Sequence, residues 1–171
     1  SFDDGSGSAL YAAGDFFQAG GNPAWFVARF QNGAWSALPG STPGLEGGVG
    51  AITKALALCV HDDGSGQALY VGGNFTNAGG VSANHVARWS ASGWSALGSG
   101  IVNPNYDGVL ALASQNTGSG KALYAGGNFV GAGGSNAQRL ARWAGGTWSD
   151  VGTGVDSTVR ALGSYAASTT G

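Results

Sequence analysis

The sequence predicts an all-β fold, a β-propeller built from three four-stranded blade repeats. Three observations predict it: one motif recurs three times in register, each copy holds short apolar runs bounded by glycine, and no segment has helical periodicity. Propeller blades are four-stranded antiparallel sheets repeated in tandem, which is the pattern of these copies. Residues 1–171 are therefore interpreted as a single propeller segment, with repeats at approximately 8–66, 67–120 and 121–171.

The composition indicates a packed chain with many turns. Glycine supplies 34 of the 171 residues, about three times its usual share. Aromatic residues make up 11%, which argues against a disordered glycine-rich linker. The net charge of −2 offers no basic surface, so we expect no nucleic-acid partner. No apolar stretch is long enough to predict a membrane span, and the single cysteine, Cys59, excludes an internal disulfide.

Strands 2 to 4 are spaced identically in the three copies. Strand 2 opens with a Leu-Tyr pair at Leu10, Leu69 and Leu123, and a Trp-Ser pair closes each copy 25 residues later. Between them lies an aliphatic-Ala-Arg-aromatic run, which predicts strand 3. The Asp-Gly, Gly-Ser and Asn-Gly pairs between the runs supply the positive φ angles of tight hairpins.

Strand 1 and the connection that leads to it complete each blade. Strand 1 is predicted at residues 55–60, 109–114 and 159–164. All length differences between copies fall between strand 4 of one blade and strand 1 of the next, a segment called the 4–1 connection below. Because loops tolerate insertion and carry function, individual copies are expected to differ in binding there.

Residues 62–100 resemble two groups of known repeats. The double glycine Gly72-Gly73, followed by Arg88-Trp89 and Trp94, is similar to the kelch pattern. The run Asp-Asp-Gly-Ser-Gly-x-Ala-Leu-Tyr, with Ala-Gly-Gly, Ala-Arg-Trp and Trp-Ser after it, more closely resembles glycine-rich tandem repeats of secreted planctomycete and related bacterial proteins. Copy one departs most, at Ala13, Phe30 and Pro39. The resemblance implies a kelch-like propeller in a secreted or cell-surface bacterial protein, and it implies no activity.

The repeat is cut between strands 1 and 2. Residues 1–7 match the turn after strand 1, and residues 159–164 match a strand 1 without strands 2 to 4 behind it. The sequence thus predicts two complete blades, one three-stranded partial blade and one orphan strand, with complementary open edges. Two explanations stay open: the segment belongs to a longer chain, or copies join head to tail, most simply as a six-bladed homodimer.

The residues that recur in every copy are interpreted as structural. Each repeated arginine stands beside aromatic residues, and we expect it to stack on a tryptophan. The members of this recurring set are Arg29, Arg88, Arg142, Tyr11, Tyr70, Tyr124, Trp35, Trp94 and Trp148. The turn at 62–66 lacks the alternating oxygen ligands and the glutamate of an EF-hand, so it is interpreted as a turn. No metal and no cofactor are expected.

The residues that break the repeat are the candidates for ligand binding. Trp25 stands where the other copies have Asn84 and Gln138, and the second 4–1 connection carries Asn105, Tyr106 and Asp107. In a four-stranded blade the 2–3 and 4–1 connections emerge on one face. An aromatic ring beside Asn and Asp is suited to a sugar, through stacking and paired hydrogen bonds. Alternatively, Trp25 and Tyr106 fold over neighbouring blades as packing.

The leading hypothesis is a non-enzymatic extracellular binding or scaffold module for a glycan or a protein. One alternative is a structural repeat that builds an extracellular assembly or filament through its strand edges. Another is a propeller domain of a secreted enzyme whose active site lies elsewhere. Catalysis within this segment is disfavoured because His61 and His85 occupy non-equivalent positions, and the repeat pairs no carboxylates.

Overall fold

The computed structural model describes residues 1–48, 50, 52–102, 108–117 and 120–165. Among these residues, no helix is long and apolar enough to cross a membrane. The strands, in chain order, are β1 (Phe2–Asp3), β2 (Ser8–Ala13), β3 (Gln18–Ala19), β4 (Asn22–Pro23), β5 (Val27–Gln31), β6 (Ala34–Ala37), β7 (Leu45–Glu46), β8 (Lys54–Asp62), β9 (Gln67–Asn74), β10 (Asn77–Ala78), β11 (Val81–Ser82), β12 (Val86–Ser90), β13 (Gly93–Ala96), β14 (Ile101–Val102), β15 (Gly108–Thr117), β16 (Gly120–Asn128), β17 (Gly131–Ala132), β18 (Ser135–Asn136), β19 (Leu140–Ala144) and β20 (Thr147–Asp150).

Each copy forms one antiparallel four-stranded sheet, and these sheets are called blades 1, 2 and 3. Their strand orders are β1-β2-β5-β6, β8-β9-β12-β13 and β15-β16-β19-β20. The prediction of an all-β chain with four strands in each copy is confirmed. Blade 1 is not the three-stranded sheet expected, because Phe2 and Asp3 pair with Ala9 and Ser8 as the last two residues of a strand 1.

The predicted strand at residues 159–164 is wrong as a strand. Its described residues have no strand pairing, although the Val159 N–H donates to the Gly127 carbonyl over 3.2 Å. The segment still occupies the place of a strand 1. A Cβ at Gly126 would lie 2.5 Å from Cγ1 of Val159, and a Cβ at Gly72 would lie 2.5 Å from Cγ1 of Val109. Residues 159–164 therefore lie on blade 3 as β15 lies on blade 2.

The core is divided into two layers, one on each side of blade 2. Leu69 and Val71 of β9 belong to the layer shared with blade 1, whereas Ala68 and Tyr70 belong to the layer shared with blade 3. Successive residues of a strand point to opposite faces, so a strand buried on both sides is apolar throughout. This explains why the strands carry unbroken apolar runs.

Three smaller sheets lie at the 2–3 connections. In each copy the 2–3 connection folds into a short hairpin: β3–β4, β10–β11 and β17–β18. The preceding 4–1 connection adds a third strand to two of them, so β7 pairs with β10 and β14 pairs with β17. These pairings join consecutive blades by backbone hydrogen bonds. Among the described residues, the β3–β4 hairpin of blade 1 has no third strand.

Candidate functional site

The 2–3 and 4–1 connections form one face of the molecule, as the direct pairing of β7 with β10 shows. On this face, a cleft of about 530 Å³ opens where blade 1 meets the 4–1 connection that leads to blade 2. Its walls include Asp15, Phe17, Trp25, Phe26, Glu46, Ile52 and Lys54. We call it the blade 1 cleft.

Backbone hydrogen bonds fix Trp25 at the wall of the cleft. Its N–H donates to the carbonyl of Pro43 over 2.8 Å, and its carbonyl accepts from the N–H of Leu45 over 3.1 Å. Gly44 is required beside it, because a Cβ there would meet the Trp25 carbonyl oxygen and its φ is +152°. The indole is half-buried and packs against the core layer between blades 1 and 2. Trp25 thus both packs on the core and lines the cleft.

Two phenylalanine rings form a corner of the cleft. The centroids of Phe17 and Phe26 are 5.0 Å apart, and the ring planes are inclined at 63°. Phe26 is buried, whereas Phe17 is 63% exposed. Ile52, which also lines the cleft, is 47% exposed. A large exposed apolar surface on a folded domain is a common mark of a binding site.

Phe26 occupies a backbone conformation that is rare for a side chain of its size. Its φ is +69°, and the equivalent residues His85 and Arg139 both have a φ of +64°. In each copy the N–H and the carbonyl of this residue bond the end of strand 2 and the residues after it; for Phe26 the partners are Phe16 and Gly14. Two hydrogen bonds hold the strained position, so its side chain is presented in a fixed direction.

The cleft is lined by two carboxylates and one ammonium group. Lys54 Nζ lies 3.8 Å from Oδ2 of Asp15, and both side chains are partly exposed. Glu46 is half-buried on β7 and lines the same cleft. With Lys54 opposed by Asp15, the carboxylate of Glu46 leaves the cleft with a net negative charge.

The aromatic cleft is specific to copy one. Phe17 corresponds to Thr76 and Val130, Trp25 to Asn84 and Gln138, and Phe26 to His85 and Arg139. In the later copies several of these side chains bond nearby backbone groups. Thr76 Oγ1 donates to the Gly47 carbonyl, Asn84 Nδ2 to that of Ser99, and Arg139 Nη1 to that of Phe129. At the same three positions copy one has aromatic side chains, which cannot make these hydrogen bonds to carbonyl groups in the same way.

A family model described as a β-propeller domain of unknown function, DUF5122, matches residues 69–93. The match runs from β9 into the start of β13, within blade 2. No curated protein and no solved structure matches the chain. The four-stranded blades, their shared core layers and this match agree. The fold is a partial β-propeller.

A buried and a half-buried carboxylate, Asp4 and Asp63, lie on the opposite face of the propeller. Asp4 accepts hydrogen bonds from the Tyr11 hydroxyl over 3.1 Å, from Arg29 Nη1 over 3.1 Å and from Ser6 Oγ over 2.5 Å. A fourth donor, the indole Nε1 of Trp89, comes from blade 2 over 3.2 Å. We call these five residues the Asp4 cluster. It joins the strand 1–2 turn of blade 1 to the neighbouring blade.

Blade 2 repeats the cluster within its own sheet. Asp63 accepts from the Tyr70 hydroxyl over 2.9 Å, and Arg88 Nη2 donates to Ser65 Oγ over 2.8 Å. Arg29 and Arg88 therefore have a carboxylate and the serine hydroxyl of the turn as polar partners, which the sequence did not suggest; their stacking on tryptophan stays a prediction. Trp35, Trp94 and Trp148 each contact the aromatic residue opposite them in strand 3, with ring centroids 5.1, 5.3 and 5.2 Å apart. Arg142 and Tyr124 pair opposite each other across β19 and β16 of blade 3.

The contacts within the Asp4 cluster shift the pKa values of Asp4 and Tyr11. Burial alone would raise the pKa of Asp4, but hydrogen bonds from Ser6, Trp89 and Tyr11 outweigh it and lower this pKa to about 2. Burial and the neighbouring Asp4 charge raise the pKa of Tyr11 to about 12. The pKa of Asp63 is lowered in the same way, since hydrogen bonds from Ser65 and Tyr70 exceed the effect of its burial. Both carboxylates are therefore ionised at neutral pH.

In the turn at residues 62–66, aspartate side-chain oxygens accept hydrogen bonds from backbone N–H groups of the same turn. Asp62 Oδ1 accepts from the N–H groups of Gly64 and Gly66, and Asp63 Oδ1 accepts from Ser65. Among the described residues, no group of three or more His, Cys, Asp and Glu side chains is arranged to hold a metal ion.

A histidine and a serine meet between blades 2 and 3. His61 Nδ1 lies 2.8 Å from Ser114 Oγ, the distance of a nucleophile and its base. The ring is buried, and its Nε2 has no hydrogen-bond partner in the described part of the chain, so no third group orients it. Burial lowers the pKa of His61 and raises that of the Cys59 thiol nearby. The pair has the geometry of a packing contact between blades.

Of the four predicted ligand residues, the structure describes one. Trp25 lines the blade 1 cleft, while Asn105, Tyr106 and Asp107 lie outside the described residues. Phe17, Phe26 and Ile52 were not among the residues predicted from the sequence. The alignment of the copies contained the signal for the first two, because each replaces a residue of another type in both later copies. Ile52 carries no such signal, since its segment differs in length between copies.

Proposed function

We propose that this propeller segment is a non-enzymatic binding or scaffold module, whose ligand is a glycan or another protein held in the blade 1 cleft. The observation that carries the proposal is the cluster of three aromatic side chains in one copy of an otherwise regular repeat. Repeated residues maintain the blades, so a set present in one copy is not required by the repeat itself, although Phe26 and Trp25 also pack on the core. A concave, mainly apolar cleft with a few polar groups is the usual form of a ligand site.

The proposed location is outside the cell, in a secreted or cell-surface bacterial protein. Its support is the resemblance of residues 62–100 to kelch-like, glycine-rich repeats of secreted bacterial proteins. The low content of charged residues, 9%, and the surface rich in Gly, Ser, Thr and Asn fit that setting.

The absence of catalysis is likewise a proposal. The described aspartates mainly serve the fold: Asp3 and Asp62 bind backbone N–H groups of their turns, while Asp4 and Asp63 belong to the clusters. A glycosidase would need two carboxylates on either side of one bond, held in place by the fold.

Parallel glycan and peptide arrays would test the proposal. The full chain is compared with a Trp25→Ala variant and with Tyr165→Ala, which removes an aromatic ring that is 80% exposed and outside the cleft. We expect the wild type and Tyr165→Ala to share a binding profile that Trp25→Ala loses. No ligand on either array for the wild type, or an unchanged profile for Trp25→Ala, would overturn the proposal.

Open strand edges favour a second function, the assembly of copies into a larger scaffold. In blade 1, β2 pairs with β1 only at Ser8 and Ala9, and Leu10 just beyond is 56% exposed. The segment 159–164 also lacks a strand partner among the described residues. Light scattering at micromolar concentrations and electron microscopy would test this function: closed rings or filaments support it, and a monodisperse monomer contradicts it.

A further inference from the structure

The blade 1 cleft combines rings, an apolar surface and an unbalanced carboxylate in a way that selects among ligands. Phe17 and Phe26 form a corner, and Trp25 stands at the wall beside it. The faces of aromatic rings attract cations. Ile52 adds an exposed aliphatic surface, which complements a hydrocarbon chain. A ligand that matches both has a long apolar stem and a positively charged end.

The charges of the cleft agree with such a ligand. Asp15 lies 3.8 Å from Lys54, so the cation of the cleft is already opposed by a carboxylate. Glu46 is half-buried at the edge of β7, and no ion pair of Glu46 is found in the described part of the chain. The net charge of the whole chain, −2, has the same sign. Complementary charge accelerates encounter and excludes anionic partners.

From these observations we propose that the blade 1 cleft binds a lysine side chain of a partner protein, with its ammonium group between Glu46 and the rings of Phe17 and Trp25. The stem of the lysine lies against Ile52, since lysine buries its methylene groups while its charge stays at the surface. The inference rests on the proposed binding function and names its ligand as protein. A neutral glycan would gain from the rings but would leave the Glu46 carboxylate without a counter-charge.

Nuclear magnetic resonance titration of the full chain tests the inference. The first probe is the capped pentapeptide Gly-Gly-Lys-Gly-Gly. The second is the same peptide with an Nε-acetylated lysine, which keeps the length and removes the charge. The readout is the indole N–H resonance of Trp25, assigned by its loss in Trp25→Ala. We expect the lysine peptide to shift this resonance and the acetylated peptide to bind about tenfold more weakly, the effect of about one charge-assisted contact.

Three variants locate the contact. Phe17→Ala removes an exposed ring, so the fold should survive, and we expect about tenfold weaker binding of the lysine peptide. Glu46→Gln should discriminate less between the lysine and acetyl-lysine peptides than the wild type does, keeping only the preference that the rings give to a cation. Tyr165→Ala is the matched control, and its affinity should equal that of the wild type. Equal affinity of the wild type for the two peptides would overturn the inference.

A third probe separates failure of the inference from failure of the proposed function. Chitotriose is a neutral trisaccharide that can stack on exposed rings. If chitotriose shifts the Trp25 resonance and the lysine peptide does not, the inference is wrong and the binding function stands. If no probe shifts it and the arrays yield no ligand, both are wrong.

Discussion

Trp89 donates a hydrogen bond from its indole Nε1 to Oδ2 of Asp4, over 3.2 Å and 85 positions of sequence. This bond joins strand 3 of blade 2 to the turn of blade 1. Because Asp4 also accepts from Tyr11 and Arg29, one carboxylate binds groups from two blades. The stability of the blade 1–blade 2 interface should therefore depend on Asp4.

Asp4→Asn should lower the free energy of unfolding by about 2 kcal/mol, since it leaves the partly buried Arg29 cation without its counter-charge. The measurement is urea denaturation followed by tryptophan fluorescence. Asp156→Asn, at an exposed position, is the control and should unfold at the wild-type concentration of urea. Equal stability of the two variants would contradict the role assigned to Asp4.

The same carboxylate predicts a loss of stability in acid. Its pKa is about 2 in the folded chain against 3.8 for a free aspartate. The ionised form is thus favoured by folding, so this stabilisation is present above about pH 4 and is lost as the pH falls toward 2. A shift of this size is worth about 2 kcal/mol.

Denaturation of the wild type and Asp4→Asn at several pH values measures this effect. The difference between their free energies of unfolding should be full at about pH 6 and should shrink toward zero near pH 2, where a protonated Asp4 resembles asparagine. A difference that stays constant across this range would show that folding does not lower the pKa of Asp4.

Val109 packs closely on Gly72, so a side chain at position 72 should destabilise the contact between blades 2 and 3. In Gly72→Ala the added Cβ would meet Cγ1 of Val109 at 2.5 Å, and the two sheets would have to separate. We expect a loss of about 1–3 kcal/mol in the free energy of unfolding, the usual cost of overpacking. Gly163→Ala is the matched control, because its Cβ would meet nothing within 4 Å. Equal stability would show that β15 does not lie on Gly72.

The equivalent change in blade 3 should release the segment 159–164. In Gly126→Ala the new Cβ would meet Val159 at 2.5 Å, and the segment has no strand pairing beside the single Val159 N–H bond to the Gly127 carbonyl found in the described residues. Arg160 is exposed within it and provides a site for trypsin. Cleavage after Arg160 should therefore be several-fold faster than in the wild type, while far-ultraviolet circular dichroism stays unchanged. An unchanged cleavage rate would place Val159 away from Gly126.

The spacing of the copies was enough to predict most of the fold. Strands 2 to 4 of each blade follow from glycine-bounded apolar runs, because strands buried on both faces are apolar at every position. The strand at 159–164 was mispredicted for a physical reason: its apolar pattern reflects the contact of Val159 and Leu162 with Gly126 of blade 3, whereas a strand needs a continuous ladder of backbone hydrogen bonds.

The short sheets could not be predicted in the same way. The strands β7 and β10 have two residues each, so they carry no periodicity, and their pairing depends on how two blades pack. The positive φ of Phe26 was hidden because the equivalent residues, His85 and Arg139, share no residue type. Backbone hydrogen bonds shared by all three copies accompany this conformation, whatever the side chain.

The candidate site was predicted in part. Trp25 stood out because a tryptophan replaced amides in the other copies, and the structure places it at the cleft. The contribution of Phe17 depends on its exposure, which only the packed structure reveals. The carboxylate partners of Arg29 and Arg88 were missed because the strand alignment set those arginines beside aromatic residues, whereas their side chains extend to the 1–2 turn.

A double-mutant cycle between Asp4 and Trp89 tests most directly the central claim, that consecutive copies pack as neighbouring propeller blades. The free energy of unfolding is measured for the wild type, Asp4→Ala, Trp89→Phe and the double variant. We predict a coupling energy of about 1.5 kcal/mol, the low end for a hydrogen bond to a charged group, so that the double variant loses less stability than the two single variants added together. Losses that simply add would show that the two side chains do not meet and would contradict this packing of the blades.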